Sequence, residues 1–70
     1  MRLTETDVEN IHKLEKFLKE APRAIGEMAK YLGVSVTLTI DYLEVFLKNP
    51  KVYKMRCTDL AGPEKKWVME

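Results

Sequence analysis

Three breaks decide what this 70-residue chain can become: Pro22, Gly33 and the Asn49-Pro50 pair. They leave segments too short for a long coiled coil and too regular for a disordered tail. Proline's ring clashes with the preceding turn and disfavours helix at the residue before it. Upstream of Pro22, Val8, Ile11, Leu14, Phe17 and Leu18 recur at three- and four-residue spacing, which predicts a helix over about 4–20. Thr4 and Asp7 fit a capping box, with Thr6 and Glu9 as a rival, and Leu3 can staple to Val8. A second helix is predicted over 25–32, where Ile25, Met28, Ala29 and Leu32 share a face. Gly33 follows in position for a left-handed cap. At its start Ala24 stands where a capping side chain is expected.

The third segment carries two patterns. Val34 to Tyr42 alternates apolar and polar, as a strand with a wet face of Ser35, Thr37, Thr39 and Asp41 would. Val36, Ile40, Leu43 and Leu47 recur at helical spacing as well. The run from Ser35, a good N-cap, to Asn49-Pro50 suits a helix over 35–48, with the strand as the alternative. Beyond Pro50, Lys51–Cys57 and Lys66–Met69 alternate around Gly62-Pro63, which predicts a hairpin over about 51–69. Residues 1–70 are thus expected to form one α+β, mainly α, domain: three helices and a C-terminal hairpin.

A domain this small has little core to spare. One cysteine, Cys57, excludes an internal disulfide, and with His12 as the only histidine no four-ligand zinc site is expected. No apolar run reaches the roughly 18 residues of a membrane span. The first residues turn acidic at once, unlike a signal peptide. These features predict a soluble, cytoplasmic, non-enzymatic protein without metal, cofactor or membrane contact. His12 lacks a nucleophile partner, Cys57 reads as a plain strand cysteine, and there is no glycine-rich phosphate loop. Twelve basic and eleven acidic residues sum to +1, unevenly spread: −1 over residues 1–20, zero over 21–50 and +2 over 51–70. Any attraction for phosphate is therefore expected near the C-terminus.

The stretch Ile25-Gly26-Glu27-Met28-Ala29-Lys30-Tyr31-Leu32-Gly33-Val34-Ser35 resembles the helix-turn-helix of the winged helix-turn-helix DNA-binding family. Ala29 is small where two helices cross, Gly33 turns, Val34 plugs the core and Ser35 caps the next helix. Leu43 and Phe46 match later core positions, and Lys51-Val52 resembles the start of the first wing strand. The resemblance implies a third helix in the major groove, presenting Ser35, Val36, Thr37, Ile40, Asp41 and Glu44. Of these, Ser35, Thr37, Ile40 and Glu44 would lie nearest the bases. Lys54, Arg56, Lys65 and Lys66 on the wing would meet phosphates. The implied function is a small DNA-binding transcriptional regulator acting as a homodimer, since a monomer this size grips few phosphates.

One departure from the family's chemistry opens a second expectation. No Arg, Lys, Asn or Gln, the good readers of base edges, occurs between Ser35 and Val45. Stepping the third helix at 100° per residue puts Thr39, Leu43, Phe46, Val36, Leu47 and Ile40 in one core arc. Leu38, Tyr42 and Val45 then form a second apolar stripe, an expected interface for a protein partner or second copy. A protein-binding module is therefore the alternative to a DNA-binding one. Trp67 and Tyr53 are expected to cover the core from the hairpin.

Overall fold

The computed structural model describes residues 3–58 and 65–70. Helix α1 spans Glu5–Glu20, α2 spans Ile25–Leu32 and α3 spans Val36–Lys48. The strands β1, Met55–Cys57, and β2, Trp67–Met69, pair antiparallel after them. This is the mainly helical α+β order that the sequence predicts. The expected turn around Gly62-Pro63 lies outside the described residues.

Local chemistry sets the boundaries. At Thr4 the capping box closes both ways: Asp7 N–H donates to Thr4 Oγ1 at 3.1 Å, and Thr4 N–H donates to Asp7 Oδ2 at 3.0 Å. Gly33 takes φ 69°, and the next N–H, of Val34, reaches back to the Ala29 carbonyl at 3.1 Å. Ser35 Oγ accepts from Leu38 N–H at 3.1 Å and starts α3. The helical period therefore prevails over the strand-like alternation of Val34–Tyr42, because a cap at one end and Pro50 at the other enclose a helix-length segment. The hairpin begins later than the expected residue 51. Val52 and Tyr53 N–H both donate to the Asn49 carbonyl, at 3.0 and 2.9 Å, so the chain turns there before β1 can start.

One pairing has no counterpart in the sequence reading. Arg23, between α1 and α2, bridges Trp67 antiparallel, with N–H to O distances of 2.8 and 2.7 Å. It ties the helical layer to β2 and pairs the N–H and carbonyl of Arg23, which belongs to neither helix.

The core is built from Ile11, Leu14, Leu18, Met28, Tyr42, Leu43, Phe46 and Met69. Tyr53 and Trp67 pack against it from the hairpin side, as expected; Tyr53 meets Phe46 edge-on with ring centres 4.7 Å apart. On the flank, Phe17 stacks on Tyr31 at 4.0 Å, and the Arg23 guanidinium lies 4.0 Å from the Phe17 ring centre.

Helix α3 is rotated relative to the expected arc. Thr39, Tyr42, Leu43 and Phe46 face inward, whereas Val36, Ile40 and Leu47 are 49%, 42% and 51% exposed. The expected outer stripe of Leu38, Tyr42 and Val45 is therefore not a free surface: Tyr42 is fully buried, and Leu38 and Val45 are half-buried against the core. The reason is polar. The Tyr42 hydroxyl donates to Asp7 Oδ1 at 2.6 Å and accepts from Asn10 Nδ2 at 3.3 Å. A buried tyrosine with its hydroxyl satisfied contributes more apolar burial than Val36 at the helix start, so it takes the inward position.

Candidate nucleic-acid interface

The rotation of α3 decides which side chains it offers. Its outer face carries Val36, Thr37, Ile40, Glu44 and Leu47, all exposed, with half-buried Asp41 and exposed Lys48 alongside. Three of the four base-facing candidates on α3, Thr37, Ile40 and Glu44, are thus brought together on one solvent-facing strip. The fourth, Ser35, is exposed but its Oγ lone pair is engaged by the Leu38 N–H. Its hydroxyl proton remains available to donate. Thr39 has no outward role: it is buried, and its hydroxyl donates to the Ser35 carbonyl at 2.9 Å.

The expected wing cations divide by strand register. Residues directly opposite in an antiparallel pair share a face, and the face alternates along each strand. Arg56 faces Val68 in the ladder. Backbone bonds continue the pairing at both ends: Glu70 N–H to the Lys54 carbonyl at 3.0 Å, and Thr58 N–H to the Lys66 carbonyl at 2.8 Å. Lys54, Arg56 and Lys66 therefore share the outer face of the hairpin, while Met55, Cys57, Trp67 and Met69 share the inner one. Lys65 falls on the other parity, and its Nζ lies 5.2 Å from the Trp67 ring centre. Among the described residues Glu70 is the anion of the outer face, at a loose 3.9 Å from Arg56 with both side chains well exposed, a pair worth little in water.

A groove of about 190 Å³ beside α3 is lined by Leu3, Asp41, Glu44, Val45, Lys48 and Asn49. Two of its three charged side chains are acidic, so it is no phosphate cradle. Among the described residues, no group of three His, Cys, Asp or Glu side chains is placed to hold a metal ion. Val36 and Ile40, which helical spacing puts in the core arc and the family resemblance on the groove face, lie on the outer face. Leu47 was expected inside, and hydropathy alone carried no signal for its exposure.

Comparison of the chain with protein-family models, characterised proteins and solved structures finds no match.

Proposed function

We propose that this chain is a winged helix-turn-helix protein that binds duplex DNA, as a small transcriptional regulator acting in the cytoplasm as a homodimer. The observation that carries the reading is the open strip of α3, Val36, Thr37, Ile40 and Glu44, in a chain whose hairpin gathers Lys54, Arg56 and Lys66 on one outer face. The Ile25–Ser35 resemblance supports it. In this reading α3 enters the major groove, and the hairpin cations hold phosphates and release counterions. The test is fluorescence anisotropy with mixed-sequence duplex at low and moderate salt. Binding that weakens steeply with salt is expected, and Lys54→Glu with Arg56→Glu should lower both affinity and salt slope. Absence of binding at low salt would sink the reading.

A second reading has its own support. The exposed row Val36, Ile40 and Leu47, with no Arg, Lys, Asn or Gln from Val36 to Glu44, also suits a protein-binding face. In that case the hairpin charge reversals are silent and Ile40→Asp breaks a complex or a dimer.

A further inference from the structure

We infer that α3 reads thymine through its C5-methyl groups, with Val36 and Ile40 as the contacting side chains. The inference rests on the DNA-binding reading and names what that same face recognises. Val36 and Ile40 lie one helical turn apart on the same face and are 49% and 42% exposed. Such neighbours sit about 5–6 Å apart, spanning one to two base steps of about 3.4 Å each. In the major groove thymine alone among the four bases presents a methyl group, and it is met by apolar side chains.

The remaining side chains leave few other ways to read a base. Bidentate recognition of guanine or adenine needs Arg, Lys, Asn or Gln, and none stands between Val36 and Glu44. Thr39 and Tyr42 are sealed in the core, with their hydroxyls donating to Ser35 and Asp7. Ser35 Oγ accepts the Leu38 N–H in the helix cap, which leaves its hydroxyl proton as a single, undiscriminating donor. Thr37 and Glu44 are exposed on the same strip; Thr37 can serve any base and Glu44 can accept from cytosine N4, so Val36 and Ile40 are the side chains left to mark thymine. Covering Val36 and Ile40 is an apolar effect and hardly senses salt, whereas the hairpin cations act through salt-dependent phosphate contacts. The two contributions can therefore be measured separately.

The experiment compares two duplexes of about 20 base pairs built from AATT repeats, one with thymine and one with deoxyuridine throughout, which removes the methyl groups. Anisotropy titrations at several salt concentrations are run with the wild-type chain and with the Val36→Ala, Ile40→Ala double variant. Both positions are exposed, so the variant should keep the wild-type fold by circular dichroism. The wild type is expected to bind the thymine duplex about fourfold more tightly for each methyl group it covers. The double variant should lose that preference and keep the wild-type salt slope. Equal, salt-sensitive binding of both duplexes by the wild type would overturn the methyl readout and leave the DNA-binding reading standing. A preference that survives in the double variant would also overturn it, since the discrimination would then come from elsewhere. No binding to either duplex at low salt would overturn both.

Discussion

At the scale of single residues, the Tyr42 hydroxyl does most to orient the fold. It donates to Asp7 and accepts from Asn10, joining the first turns of α1 to the middle of α3. The hydrogen bond from Tyr42, with those from Thr4, holds the Asp7 carboxyl below its ordinary value of 3.8. A depressed carboxylate stabilises the fold above its unfolded value, and that contribution is lost as pH falls through the folded one. The Asp7 contribution should therefore be constant from about pH 5 to 7 and fade below about pH 4. Urea unfolding of Asp7→Asn should show a correspondingly weaker acid dependence; an unchanged one would refute the coupling. Burial raises the Tyr42 phenol above 10.0, as does Asp7 beside it, against a lowering by the Asn10 hydrogen bond. Its contribution is present below pH 10 and is lost as pH rises through the folded value. Tyr42→Phe keeps the ring but leaves the buried Asn10 amide without its acceptor, and should cost about 1–2 kcal/mol by urea denaturation.

At the scale of elements, the rotation of α3 has a direct mutational signature. Leu43 is 3% exposed and Ile40 is 42% exposed, three residues apart on one helix. Leu43→Ala should cost about 2–5 kcal/mol, whereas Ile40→Ala should stay within about 0.5 kcal/mol. Comparable losses at both positions in denaturant unfolding would mean that the helix is turned differently. The bend between α2 and α3 makes a separate prediction. An added Cβ at Gly33 meets nothing within 4 Å, so the cost of Gly33→Ala is purely conformational, from φ 69°. It should be about 1 kcal/mol, read as a lowered midpoint with an unchanged denaturant slope. The hairpin is amphipathic by register, which is why Lys54, Arg56 and Lys66 gather on one face and Lys65 does not.

At the scale of the molecule, a Cα radius of gyration of 11.3 Å matches the roughly 11 Å expected for a compact chain of 70 residues. Among the described residues no helix is long and apolar enough to cross a membrane. The molecule measures 33 × 27 × 21 Å and presents one α3, whereas two half-sites roughly 34 Å apart are each read by their own recognition helix. A homodimer would therefore be needed to read two half-sites, which sedimentation with and without duplex can check. The Lys54→Glu, Arg56→Glu variant removes two cations from one face. If both meet phosphates, the log–log salt slope should fall by about two for each copy bound. Lys65→Glu, on the other parity beside Trp67, should change it by less than the roughly one expected of a single phosphate contact. A full drop of about one would mean that the face assignment does not govern phosphate contact.

The number, order and near boundaries of the helices were legible in the sequence, because caps and breakers act within a few residues. Thr4 with Asp7, Pro22, Gly33, Ser35 and Asn49-Pro50 each act on backbone groups a turn away. The existence of the hairpin was legible too, from alternation after Pro50. Three things required tertiary structure. Which side of α3 faces inward depended on Asp7 and Asn10, 35 and 32 residues distant. The Arg23–Trp67 bridge joins residues 44 positions apart across a segment with no strand pattern. The division of the basic residues between hairpin faces followed from a register that only the paired strands set. Local rules choose the elements, because their energies come from neighbours in sequence. Long-range contacts choose which face each element shows, because several faces of α3 were apolar enough to be buried and only one also satisfied a buried hydroxyl.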